Sequence, residues 1–345
     1  MVYKTKVTIL SVIVAGLAVV YAGSLMFDPD RVSARDAAYA WLEAKSVPRV
    51  DGIELKSANS VVALVQKNAA WFVSVDGQDY PAKERRVEDL LNLLSKKDSY
   101  PVRGAEAASH ERLGLLEDSA ARITVRGGGT TLLDLLVGNT DASGAEAYLR
   151  KAGKNEARSG ALSISNYVSS AKTAWYNLRL FPETGNLTVD GVQRVIVTLP
   201  PADDAEGGAS GEPADTADAS ADASAAAETG APAAPVTLTF ARANGGWTVN
   251  GQEADAPKVE SYVRAILDAE GDDFATGETV AADYAALNEG RIVLELGDGT
   301  SRVISVGAKL DLNKRDASVS GSPYVYSLAG WAVERLFKAE SEFKK

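Results

Sequence analysis

Trp175-Tyr176-Asn177-Leu178-Arg179-Leu180-Phe181 and Trp331-Ala332-Val333-Glu334-Arg335-Leu336-Phe337 share the pattern Trp-x-x-x-Arg-Leu-Phe near the end of each half of the chain. A pattern recurring at one spacing is the signature of a duplicated unit. Working upstream, Trp71-Phe72-Val73-Ser74-Val75-Asp76-Gly77 parallels Trp247-Thr248-Val249-Asn250-Gly251. Each reads as a Trp-led strand entering the Asp-Gly or Asn-Gly turn that a tight hairpin requires. A helix follows in each copy, with apolar residues Val87, Leu90, Leu91 and Leu94 in the first and Val259, Tyr262, Val263 and Ile266 in the second. Both stripes recur at i, i+3, i+4 and i+7, one face of an amphipathic helix.

Beyond the helix, Arg122-Ile123-Thr124-Val125 turns through Gly127-Gly128-Gly129 to Leu136-Val137-Gly138. Its counterpart runs from Arg291-Ile292-Val293-Leu294 through Asp298-Gly299 to Ser305-Val306-Gly307. A further strand carries Tyr148 or Tyr324, and the Trp-led run is expected to form a terminal helix. Before the first Trp, Ile53–Leu55 and Val61–Val65 read as a hairpin, matched by Val195–Leu199 and Val236–Phe240. Each unit is therefore expected to run β-β-β-α-β-β-β-α. The fold class is α+β, two tandem repeats of a mainly antiparallel sheet with packed helices. The expected repeats cover 50–182 and 187–343, with the boundary near Pro182–Asn186.

Between Ala202 and Ala234 lie eight acids, no Lys or Arg, and a composition of Ala, Asp, Ser, Gly and Pro. Such a stretch lacks apolar area to bury and is expected to be a disordered loop over 202–234, interrupting the second repeat. The net charge of the chain is −11, so the remainder is close to neutral. No basic stripe offers itself to phosphates, which argues against nucleic-acid binding. The chain has no cysteine, which removes disulfides, thiolate metal sites and thiol catalysis.

Residues 7–27, VTILSVIVAGLAVVYAGSLMF, carry no charge, and a helix of that length rises about 30 Å, enough for a bilayer core. Lys4 and Lys6 precede the run, while Asp28 and Asp30 follow it. The positive-inside bias places the N-terminus in the cytoplasm and the bulk of the chain outside. The expected organisation is a transmembrane anchor over 1–27 and a helical stalk over 28–49. A cleaved secretory signal ending near Val20-Tyr21-Ala22 is the competing reading.

The residue types that carry chemistry are sparse. His110 is the sole histidine. The sequence His110-Glu111-Arg112-Leu113-Gly114 opens like a zinc-protease motif but has glycine where the second histidine belongs. His110 is expected in a surface loop. Gly127-Gly128-Gly129 precedes a strand and lacks a following Gly-Lys-Ser/Thr, so it reads as a hairpin turn and not a phosphate loop. Asp272 and Asp273 are the kind of pair that glycoside hydrolysis would use, if their separation suited it. Trp71, Trp175, Trp247 and Trp331 sit at repeat-equivalent positions and are expected in the two cores, with an aromatic ligand platform as the alternative. No catalytic, cofactor-binding or metal-ligating residue is assigned, and no cofactor is expected.

One further likeness is carried by Ser33-Ala34-Arg35-Asp36-Ala37-Ala38-Tyr39, by Trp41-Leu42-Glu43-Ala44-Lys45 and by Asp51-Gly52-Ile53-Glu54-Leu55. Trp71, the Pro81-Ala82 step leading to Val87, and Leu136-Val137-Gly138 leading to Tyr148 add to it. Together these resemble the bacterial proteins grouped as domain of unknown function 4340, most clearly over 33–181. The resemblance implies a protein tethered to the inner membrane with its bulk periplasmic or extracytoplasmic. It further implies an accessory or scaffold role beside an ABC transporter permease and an auxiliary subunit of the gliding-motility type, and the missing catalytic residues make the expected protein non-enzymatic. It supplies no catalytic residues. The alternatives from other classes are an extracytoplasmic glycan- or ligand-binding module and a hydrolase using acidic residues.

Overall fold

The computed structural model describes residues 38–182, 187–200, 235–243, 245–275, 289–310 and 313–345, together with Leu17 and Tyr21. Apart from Leu17 and Tyr21, the expected anchor lies outside the described residues, as do the first ten residues of the expected stalk and the acidic stretch 202–234. Among the described residues no helix is long and apolar enough to cross a membrane. The chain divides between Asn177 and Leu178 into two compact units.

The first unit contains β1 (Ala38–Tyr39), β2 (Gly52–Lys56), β3 (Val61–Lys67), β4 (Ala70–Val75), β5 (Gln78–Pro81) and α1 (Glu84–Ser95). It continues with β6 (Asp98–Ser99), β7 (Val102–Gly104), α2 (His110–Leu113), β8 (Ala121–Gly127), β9 (Thr130–Thr140), β10 (Glu146–Lys151), β11 (Ala157–Ala161) and α3 (Leu162–Ser169). The second unit contains β12 (Val192–Thr198), β13 (Thr237–Ala243), β14 (Gly246–Val249), β15 (Gln252–Glu253), α4 (Ala256–Leu267) and β16 (Asp273–Phe274). It ends with β17 (Gly290–Leu296), β18 (Ser301–Lys309), β19 (Arg315–Val319), β20 (Val325–Leu328) and α5 (Gly330–Leu336).

Each unit builds one nine-stranded sheet, ordered β5-β4-β3-β2-β8-β9-β10-β11-β7 and β15-β14-β13-β12-β17-β18-β19-β20-β16. The orders correspond strand for strand, and the α+β duplication expected from the sequence is present. Every pairing in both sheets is antiparallel. Each sheet consists of two four-strand meanders, each meander followed by a helix, meeting where the two leading strands pair, with β7 or β16 added as a ninth strand at one edge. In the first unit that seam sets Ile53 opposite Val125 and Leu55 opposite Ile123. In the second it sets Val195 opposite Leu294 and Val197 opposite Ile292. All eight of these side chains are buried, so the central seam is apolar on one face, as strand alternation requires.

The hairpin turns follow the sequence closely. Asp76-Gly77 and Asn250-Gly251 both adopt φ values between 50° and 82°, the paired left-handed residues of the two-residue turn that matches strand twist. Helices α1 and α4 bury the expected stripes, Val87, Leu90, Leu91, Leu94 and Val259, Tyr262, Val263, Ile266. Asp255 caps α4 by accepting from the Lys258 amide at 3.2 Å, satisfying one of the exposed first-turn donors.

Two local expectations are corrected. The segment expected as a helical stalk is, over its described part, the short strand β1 and a 3₁₀ turn, Ala44–Arg49. β1 pairs with β6, and Trp41 and Leu42 are buried in the first unit. Tyr39, Trp41 and Tyr100 form a chain of edge-on rings at 5.0 and 5.3 Å, while burial and the nearby Asp98 charge push the Tyr100 hydroxyl up to about 12. The apolar residues here belong to a core, which outweighs the helical tendency of the segment.

The terminal helix of the first unit is also not the Trp-led run. It is α3, directly after β11, and Trp175 follows it. The backbone decides the equivalence: the Lys83 amide donates to the Trp175 carbonyl at 2.8 Å, and the Asp255 amide donates to the Phe343 carbonyl at 3.0 Å. Lys83 and Asp255 are the residues preceding α1 and α4. Phe343, not Trp331, is therefore the counterpart of Trp175. At the other end of the run, Arg179 bridges to Glu270 as Tyr39 pairs with Asp98. Leu178-Arg179-Leu180-Phe181 thus begins the second unit. The first Trp-x-x-x-Arg-Leu-Phe straddles two units, whereas the second opens within α5.

Candidate functional site

The residues singled out for chemistry are held in structural contacts. His110 is not on a surface loop. It begins α2 at 7% exposure, with Nε2 at 2.9 Å from the Asn155 carbonyl oxygen. Gly127-Gly128-Gly129 forms the β8–β9 turn, where a side chain at position 127 would meet the Arg49 carbonyl oxygen at 2.3 Å. Asp272 accepts from the Ala329 amide at 2.6 Å, and Asp273 from the Phe274 amide at 2.8 Å. Both carboxylates are tied to backbone. Among the described residues no group of three or more His, Asp or Glu is gathered as a metal site would need.

Three of the four repeat tryptophans are core residues: Trp71, Trp175 and Trp247. Trp331 is not. It stands 60% exposed near the start of α5, because its register on that helix sets it off the buried face formed by Ala332, Val333 and Leu336.

Buried polar groups that the sequence did not single out are likewise spent on architecture. Arg150, 3% exposed, donates to the Leu115 carbonyl at 2.7 Å and the Lys154 carbonyl at 2.7 Å, and pairs with Glu117 at 3.1 Å. The fully buried Ser159 donates to Glu146 at 2.5 Å and accepts from Arg103 at 2.8 Å, tying β7, β10 and β11 together. Buried polar atoms require such partners, and these have them.

A concave feature lies in the second unit, a groove of about 650 Å³ between α4 and the segment running from α5 through the 3₁₀ turn Glu340–Phe343. Tyr262 and Phe343 form its aromatic floor, with ring centroids 5.0 Å apart. Tyr262 donates to the Leu336 carbonyl at 2.5 Å, tying α4 to α5, and burial raises its hydroxyl pKa well above the ordinary tyrosine range. It serves as a wall and not as an acid. Lys258, Arg264, Arg335 and Lys338 rim the groove with Asp268 and Glu342. Lys338 pairs with Glu342 at 2.7 Å, Asp268 with Arg179 at 3.5 Å, and Lys258 with Asp255 at 3.6 Å. Arg264 and Arg335 make no ion pair among the described residues.

The first unit shows the same place closed. Arg86, third in α1 as Lys258 is third in α4, lies over the rings of Tyr167 and Trp175 at 5.0 and 4.7 Å. Its Nη2 donates to the Ser170 hydroxyl at 2.7 Å. Strand register sets Leu149 opposite Val137 and Ala317 opposite Val306. Counting on from there, Tyr167 occupies the helical position that Arg335 holds in the second unit. An aromatic and a stacked guanidinium fill in one copy what two cations and a shorter aromatic leave open in the other.

Fold and groove define a class: a tandem α+β protein of antiparallel sheets whose surface hollow lies between helices on one copy. The family described as Domain of unknown function (DUF4340) matches residues 71–289, well over half of the chain, and the chain belongs to that family. No curated protein and no solved structure matches it.

Proposed function

We infer that this chain is a non-enzymatic, membrane-tethered extracytoplasmic protein acting as an accessory or scaffold of an envelope ABC transporter complex. The observation that carries the scaffold reading is the commitment of four buried polar or charged residues. His110, Arg150, Ser159 and Arg315 each bond to a backbone carbonyl or a carboxylate, and proton or nucleophile chemistry calls for groups free to react. The tether rests on the uncharged run 7–27. From Phe27 to the docked Tyr39, an extended chain spans about 40 Å at most, so the first unit stays close to the bilayer. The transporter assignment rests on the family resemblance.

Trp331, exposed near the start of α5, is the place to look for a partner. A photo-crosslinking residue at Trp331 in intact cells is expected to capture a transporter permease or its auxiliary subunit. Recovery of uncrosslinked chain alone, both there and after purification in mild detergent, would sink the reading.

A further inference from the structure

We propose that the groove between α4 and α5 of the second unit binds an oxyanion, a phosphate ester or carboxylate, through Arg264 and Arg335. The inference goes beyond the scaffold reading and does not rest on it.

The duplicated fold supplies an internal comparison. In the first unit the equivalent place is closed by the Arg86 guanidinium stacked on Tyr167 and Trp175. In the second, Tyr167 is replaced by Arg335 and Trp175 by Phe343. Lys258 turns away to the Lys344 carbonyl at 3.1 Å, and a groove of about 650 Å³ remains. A hollow that served packing alone would be expected to fill as its twin does, since open space forfeits contacts.

Charge bookkeeping favours an anion. The two acids lining the groove are each paired with a cation, Asp268 with Arg179 and Glu342 with Lys338. Arg264 and Arg335 stand in the last turns of α4 and α5, and each helix C-terminus brings roughly half a negative charge. Two guanidinium charges exceed that sum, leaving a net charge of about +1 facing the groove. Planar guanidinium forks suit the two-oxygen edge of phosphate or carboxylate. The Tyr262 and Phe343 rings below limit water on one side, which strengthens such contacts relative to an open surface.

The absence of cysteine makes a clean reporter available. With Ser261→Cys, on the groove wall, the full chain in neutral detergent carries a single thiol, whose maleimide labelling rate is measured. Inorganic phosphate at ten times its Kd is expected to slow labelling about tenfold, and chloride at equal ionic strength to leave the rate unchanged. Arg264→Gln with Arg335→Gln is expected to abolish the slowing while leaving circular dichroism intact, both side chains being exposed. Should that pair not fold, Arg264→Lys with Arg335→Lys keeps the charge, loses the fork, and weakens the phosphate effect severalfold. A second arm reconstitutes the chain in phosphatidylcholine vesicles with or without phosphatidylglycerol, phosphate being absent. Slowing confined to the anionic vesicles assigns the oxyanion to a lipid headgroup, and slowing by free phosphate alone assigns it to a soluble ligand. Equal rates under all conditions, or slowing that survives the arginine substitutions, would overturn the proposal. Neither result bears on capture of a transporter subunit at Trp331.

Discussion

Asp141 closes the β9–β10 turn by collecting donors: the Ser143 hydroxyl at 2.6 Å and the amides of Ala145 and Glu146, each at 2.9 Å. These bonds favour the charged carboxylate and hold its pKa down to about 2 against an ordinary 3.8, with the Ser143 hydroxyl the largest cause. A depressed carboxylate contributes stability that is present above the unfolded value and lost as pH falls through the folded one. Asp141→Asn is therefore expected to speed hydrogen exchange of the Ala145 and Glu146 amides at pH 7. The gap from wild type should narrow as pH falls from about 4 towards 2. A gap unchanged at pH 2 would show that charge is not what holds the turn. The same scale explains His110 and Arg150. His110, expected in a surface loop, and Arg150, which the sequence did not single out, both prove to be partners of loop carbonyl groups, those of Asn155 and Leu115.

At the level of elements, the two Trp-x-x-x-Arg-Leu-Phe runs show how an identity of letters can mislead while the duplication itself is real. Four matches over seven residues join non-equivalent places, and backbone bonding identifies the true pairs, Trp175 with Phe343 and Tyr39 with Arg179. Phe343 packs against Phe240 and Tyr262 at 4.8 and 5.0 Å. Phe343→Ala is expected to cost about 3–5 kcal/mol, the usual range for emptying a buried aromatic site. Trp331→Ala, at an exposed position, should change stability by no more than about 0.5 kcal/mol. Urea unfolding of the two variants checks the order, and a larger loss from Trp331 would restore the literal motif as the structural repeat.

For the whole molecule, the duplication is of sheets and helices but not of surfaces. The first unit is closed on itself: the Asn177 amide donates to the Pro81 carbonyl at 2.7 Å, and the Lys83 amide to Trp175 at 2.8 Å. A fragment of residues 38–177 thus holds a complete nine-stranded sheet with its closing segment, and is expected to unfold in one cooperative urea transition. Ending the fragment at Ser170 removes Trp175 and those two bonds. It should lower the unfolding free energy by the same aromatic term of about 3–5 kcal/mol and the transition midpoint with it. Equal midpoints would mean that the closing segment adds nothing.

The duplication, its α+β class, the hairpin turns and the apolar faces of α1 and α4 were all legible in the sequence. Each is set by local chemistry: left-handed residues at Asp-Gly and Asn-Gly, and periodic burial on one face. Five of the nine strands of each sheet could be found and matched this way; the sixth expected strand joined non-equivalent places, since Tyr148 lies in β10 whereas Tyr324 falls just before β20, outside any strand. The edge strands β5, β7, β15 and β16 are two to four residues long, too short to carry a period. Which tryptophan is buried, where one unit ends, and why one groove is filled and its twin open depended on tertiary structure alone. Those outcomes turn on helix register against a sheet and on contacts between residues far apart in sequence, as between Arg86 and Trp175 or Tyr262 and Phe343. No window of neighbouring residues encodes such contacts, because the free energy that selects them is realised only when the distant surfaces meet.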